Sequence, residues 1–231
     1  AAAPAPAPAV VGARGPGSAP TTVVVAARGV GATTATFSIT DHVLIRPLPY
    51  ADSSRLVVLW EGALPPNTGR NEVSPTNYRD WKAMSTSFEA MGAYRNSTMN
   101  LVGNGDPEQL SAASLTADVL PMLGRGPLLG RSFNEADTRD TAPATALLSY
   151  GLWTSRFGAD PGVLGRTILL NDDAHTVIGV MPRSFRFPSR ETQVWTAFRL
   201  GPSDFQDRTD TYIYVVAKRK REVPIEQARA E

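Results

Sequence analysis

No cysteine occurs in this chain of 231 residues, which excludes a disulfide framework, a thiolate metal site and a cysteine nucleophile. Histidine is almost as scarce, with only His42 and His175 in unrelated contexts. An imidazole-built metal site needs two or three histidines converging with carboxylates. Charge of one sign is also missing: 23 basic residues oppose 22 acidic ones, for a net charge of +1. A nucleic-acid partner calls for a basic face, and nothing here supplies one except the run Lys218 to Arg221. A run that short reads as the solvated end of a strand, so no nucleic acid is expected.

A clean membrane span is lacking too. Residues 21–27 are apolar, Arg28 interrupts, and residues 29–40 resume without charge. A full span needs about 20 apolar residues, and a central arginine costs roughly 2.5–3.5 kcal/mol on insertion scales. The segment 21–46 therefore reads as a degenerate or partial transmembrane helix. Arg46, Pro47 and Pro49 end it abruptly, since proline has no donor and clashes with the preceding turn. Before it, residues 1–20 are rich in Ala, Pro and Gly, a composition that predicts an extended disordered tail. That order suggests a membrane helix delivering the chain to an external folded body.

What is present after Tyr50 is a globular composition, and 42% hydrophobic residues overall allow a real core. Leu56 to Trp60 has the length and character of a strand. Ser74-Pro75 predicts a helix start, with serine as cap and proline in the first position. Strands are expected over Gly92 to Val102 and Gln109 to Leu115, around the turn Gly103 to Pro107. Thr116 is expected to cap a short helix over Ala117 to Leu123, stopped by Gly124. Ala146 to Leu148 reads as a strand, and Ser149 as the cap of a helix that points Leu152, Trp153 and Phe157 inward. Thr167 to Leu170 and His175 to Val180 form a hairpin around Asn171 to Asp173. Gln193 to Phe198 and Tyr212 to Ala217 are further strands, and Pro224 opens a last helix. The expected fold is α+β: mixed sheets with short helices in two small subdomains, preceded by a marginal membrane-end helix.

Candidate chemistry is thin. Ser149 sits at a strand-to-helix turn, but Leu148-Ser149-Tyr150-Gly151 lacks the leading glycine of a nucleophile elbow, and capping explains the serine. Gly124-Arg125-Gly126 and Gly103-Asn104-Gly105 are too short for a phosphate loop and read as turns. Asp106, Glu108, Glu135, Asp137 and Asp140 could supply a glycosidase pair only if geometry joined two of them. His175, beside Asp172 and Asp173, reads as a turn histidine in water. Asn96-Ser97-Thr98 matches a glycosylation acceptor that matters only in a eukaryotic secretory host. Trp60, Trp81, Trp153 and Trp195 fall within apolar elements and are expected in the core. No catalytic, cofactor-binding or metal-ligating residue is assigned, and no cofactor is expected.

One ordered set of motifs is specific as a whole. It includes Leu44-Ile45-Arg46-Pro47-Leu48-Pro49-Tyr50, Ser74-Pro75-Thr76-Asn77-Tyr78-Arg79-Asp80-Trp81 and Asn100-Leu101-Val102-Gly103-Asn104-Gly105-Asp106-Pro107-Glu108. It continues through Leu148-Ser149-Tyr150-Gly151-Leu152-Trp153, Val163-Leu164-Gly165-Arg166-Thr167-Ile168 and Val177-Ile178-Gly179-Val180-Met181-Pro182. Over about residues 29–231 this set resembles MacB-like ABC transporter permeases, especially the acidobacterial-type permease group. The resemblance implies that residues 47–231 are a MacB-like periplasmic core domain, truncated at its C-terminal end. It further implies a non-enzymatic export function in the inner (plasma) membrane, with residues 47–231 on the periplasmic side. Implied partners are an ABC ATPase subunit or domain, a second permease copy, a periplasmic adaptor and the membrane. Two readings compete with it: a stand-alone extracytoplasmic module binding a glycan or peptide, and a secreted hydrolase.

Overall fold

The computed structural model describes residues 50, 52–62, 70–103 and 105–230. The tail at 1–20, the segment 21–46 with His42, and the whole loop at 65–69 lie outside the described residues. The described part is α+β, as expected: a nine-stranded mixed sheet, a two-stranded ribbon and short helices.

Strand β1 (Leu56–Leu59) is followed by the ribbon of β2 (Glu61–Gly62) and β3 (Arg70–Asn71). Helix α1 (Pro75–Met84) begins as its sequence dictates, with Ser74 Oγ accepting from the Asn77 N–H at 3.2 Å. Strand β4 (Phe88–Val102) starts at Phe88 rather than Gly92 and pairs antiparallel with β5 (Glu108–Leu115). Then come α2 (Val119–Met122), β6 (Leu129–Gly130), β7 (Thr145–Leu148) and α3 (Tyr150–Phe157). Strands β8 (Thr167–Leu170) and β9 (Asp173–Val180) form the expected hairpin, turning through positive φ at Asn171 and Asp172. Strands β10 (Val194–Ala197) and β11 (Tyr214–Arg219) and helix α4 (Ile225–Ala230) complete the order.

Sheet order is β1-β11-β4-β5-β10-β7-β9-β6, with β8 joining β9 back to β4. The chain of pairings β4-β5-β10-β7-β9-β8-β4 therefore closes on itself. The result is a small barrel, in which register fixes what points inward. Leu101 faces Leu170, Val194 faces Ala112 and Leu148, and Ala146 faces Val177. These residues, with Leu110 and Ile168, form one buried cluster into which α3 inserts Leu152, Trp153 and Phe157. Six strands enclose an interior that side chains can fill.

The outer wall of β5, β10 and β7 carries a second core, with Leu115, Trp195 and Leu147 under α2 and the loop of Phe185 and Phe187. A third core packs α1 on β4 and β11 through Tyr78, Met91, Ala93, Val215 and Ala217. The two small subdomains expected from the sequence share one sheet, because β4 runs through both the barrel and the α1-covered end. Pro49–Glu231 forms one compact unit.

Three local expectations need correction. Thr116 does not cap a helix: α2 starts later, after Asp118, without a side-chain cap. Thr116 is buried instead, and its Oγ1 accepts from the Ala93 N–H at 3.0 Å. At that crossing Gly92 lies so close to α2 that a Cβ would come within 2.8 Å of Val119 Cγ2. His175 is not in water: it is 6% exposed, because it pairs with inward-facing Ile168 and points into the barrel. Trp60 is 38% exposed and outside the core, whereas Trp153 and Trp195 are buried as expected.

Candidate functional site

The sequence candidates for catalysis do not converge. Ser149 Oγ accepts from the Leu152 N–H at 3.1 Å, the capping bond expected of it. No histidine lines the cleft beside it. Asp137 is buried against Arg131, whose nitrogens lie 2.6 and 2.9 Å from its oxygens. That guanidinium holds its carboxyl below the usual carboxylate range. Glu108 faces Arg156 at 3.5 Å. Among the described residues no three His, Asp or Glu side chains group so as to hold a metal. Ser149, Asp137 and Glu108 thus each have a structural partner.

What the fold does assemble is a cavity of about 320 Å³ at a mouth of the barrel. His175 lines it, with Nδ1 held 3.0 Å from the Asp173 carbonyl oxygen. Deeper in the wall, the hydroxyls of Ser114 and Thr196 lie 3.0 Å apart. At the rim the Arg95 guanidinium sits between Phe198 (5.5 Å) and Tyr212 (5.7 Å), cation–π contacts that orient a charged head without a carboxylate. Tyr212 donates to Asp204 Oδ1 at 2.5 Å, and burial with that carboxylate pushes its phenol upward. Of these residues only His175 was singled out from sequence, and as a turn residue rather than as part of a cavity. They come from β4, β5, β9, β10 and the stretch between β10 and β11, and no local spacing links them.

At the opposite end of β4, the edge strand β1 is bound by charge. Arg55 bridges Asp52 and Glu89, each at 2.7 Å, and Lys218 adds contacts of 3.4 and 3.2 Å to the same carboxylates. Arg221 reaches Asp52 at 3.3 Å. The two ends of the run, Lys218 and Arg221, are therefore part of an ion-pair network. Beside it an aromatic series crosses the sheet. Trp60 meets Tyr214 edge-on, Tyr214 stacks on Tyr94 at 5.1 Å, and Phe187 links Tyr94 to Tyr50. Burial pushes the Tyr94 phenol up to about 12.

A sequence model described as the MacB-like periplasmic core domain matches residues 21–231. No curated protein sequence matches the chain. Among solved structures, the chain is similar to the periplasmic region of MacB from Actinobacillus actinomycetemcomitans, with a TM-score of 0.59 and 13% identity over 77% of this chain and 80% of that one. It is also similar to the extracellular domain of the noncanonic ABC-type transporter YknZ from Gram-positive bacteria, with a TM-score of 0.55 and 12% identity over 76% of this chain and 87% of that one. A permease-protein domain from Porphyromonas gingivalis gives a TM-score of 0.58 and 16% identity, over 78% of each chain. At such identities the three structures establish the likeness of fold.

Proposed function

This chain belongs to the MacB-like periplasmic core domain family, and we propose that it is a non-catalytic coupling domain, carrying ATP-driven motion from an ABC ATPase to the outer side of the membrane. The segment 21–46 attaches it to the inner membrane, residues 47–231 stand on the periplasmic side, and a second permease copy and a periplasmic adaptor complete the export assembly. The observation that carries this reading is β4. Its 15 residues, at about 3.3 Å each, span roughly 50 Å. It pairs with β11, β5 and β8 along that length. A strand hydrogen-bonded into both the barrel and the α1-covered end forces them to move as one body, which suits transmission of displacement better than turnover of a substrate.

Affinity purification of the chain from detergent-solubilised membranes tests the proposal. Vanadate-sensitive ATP hydrolysis should co-purify with it. Recovery of the chain only from the aqueous fraction, without ATPase activity, would overturn the reading. The barrel-mouth cavity favours a second reading, a small glycan- or peptide-binding module, and that aqueous outcome is the one it requires.

A further inference from the structure

A cleft of about 700 Å³ opens where α3 begins, lined by Ser149, Tyr150 and Gln193 together with Arg183, Arg186 and Arg190. No carboxylate lines it. All three arginines are exposed, and among the described residues none forms an ion pair. Elsewhere Arg55, Arg131, Arg156 and Arg208 each face an acid. Three unpaired cations in one concavity repel one another, an arrangement stabilised by an anion between them.

Local contacts position two of the arginines. Arg186 donates to the carbonyl oxygens of Arg183 and Phe185 at 2.8 and 3.1 Å, which curls the loop over its own backbone. The Arg183 guanidinium lies 6.0 Å from the Tyr150 ring centroid. The guanidinium of Arg190 donates no hydrogen bond among the described residues. Its neighbour Glu191 is turned to the Ser189 hydroxyl, the main cause of its lowered carboxyl pKa; Arg190 adds a weaker coulombic pull on that carboxyl, which does not line the cleft. The first N–H groups of α3 add donors that no helical carbonyl can satisfy.

The location points to the anion. Tyr50 donates to the Arg186 carbonyl oxygen at 3.0 Å and sets its ring edge-on to Phe187. A further cation, Arg125, acts on the same phenol. Tyr50 closely follows in sequence the segment 21–46, proposed above as the membrane attachment, and this makes a lipid headgroup one source of the anion.

We propose that the Arg183/Arg186/Arg190 cleft binds phosphate-class anions, supplied either as the headgroup of an acidic phospholipid or as a soluble diphosphate. Guanidinium groups fit phosphate oxygens by paired, charge-assisted hydrogen bonds, and basic clusters beside a bilayer bind acidic headgroups. The proposal relies on the permease reading only for the lipid source, and its first arm contains no membrane.

The test uses the full chain, the R183Q/R186Q/R190Q triple variant, R190Q alone and R208Q, a control whose arginine pairs with Asp80 outside the cleft. Pyrophosphate titration at low salt is the first arm. Flotation on phosphatidylcholine vesicles with or without phosphatidylglycerol is the second, read as the gain from the anionic lipid. Parent and R208Q should bind, and the triple variant should lose roughly tenfold or more in affinity, the value of one charge-assisted contact. R190Q, which removes no hydrogen bond and leaves folding intact, should lose part of it. Pyrophosphate binding with this pattern supports a soluble source, and glycerol-lipid binding alone with this pattern supports the headgroup. Binding in neither arm, equal binding by the triple variant, or equal loss in R208Q overturns the proposal.

Discussion

The barrel and the β1 end of the same sheet solve one problem in two ways. Every strand leaves backbone donors and acceptors on both sides, and an exposed edge invites pairing with another chain. In the barrel, β8 closes the circuit between β9 and β4, so geometry removes the edge and the interior becomes a fully buried apolar cluster. At the other end β1 remains an edge. There it is only four residues long and flanked by Asp52, Arg55, Glu89 and Lys218, whose ion pairs leave little inviting surface for a stray strand. Closure therefore places stability in packing, whereas the open edge places it in charge. Heat and cavities should probe the first, salt and acid the second.

The largest expected effect lies in the barrel. Trp153→Ala removes a side chain that is 7% exposed and whose indole N–H donates to the Asp160 carbonyl at 2.9 Å. A loss of about 3–5 kcal/mol is expected, read by chemical denaturation; a parent-like midpoint would refute the barrel packing. Next comes the junction between the two ends. Thr116→Val leaves the buried Ala93 N–H unpaired and should lose about 1–3 kcal/mol, measured in the same way. Ser149→Ala removes one cap of α3 and should lose about 1 kcal/mol, read from the same denaturation midpoint.

The smallest effect sharpens the contrast most. Arg55 holds the Asp52 and Glu89 carboxyls below their usual range, chiefly through its hydrogen bonds. A carboxyl whose pKa is lower folded than unfolded stabilises above its unfolded value, about 4, and that contribution fades as pH falls through the folded value. Melts of the parent between pH 5 and about 2 should therefore drop more steeply than melts of Arg55→Gln. The gap between the two proteins should also shrink in high salt. Equal slopes would show that the edge is held by something other than these ion pairs.

How legible all this was depended on range. The starts of α1 and α3 could be read directly because Ser74 and Ser149 bond to N–H groups three residues away. The hairpin at Asn171 and Asp172 was equally local. Thr116 misled for the same reason: a threonine before a short helix satisfies the capping pattern, yet its hydroxyl serves Ala93, far back on β4. His175 looked like a turn residue because its neighbours Asp172 and Asp173 are polar. Its burial follows from β8 and β9 joining a closed ring, which no window of sequence displays. The arginine cleft was not legible, because three arginines in eight positions interrupted by uncharged residues do not look like a basic run, and only the fold shows that no carboxylate lines the cleft they share.

By itself the sequence determined most element types, the starts of α1 and α3 and the family to which the chain belongs, since these rest on neighbouring residues and on an ordered set of motifs. Tertiary structure alone decided which strand closes the barrel, which polar groups are buried and which charges stay unpaired. Those outcomes depend on contacts between residues distant in the chain, and their free energies arise only when the surrounding surface is withdrawn from water.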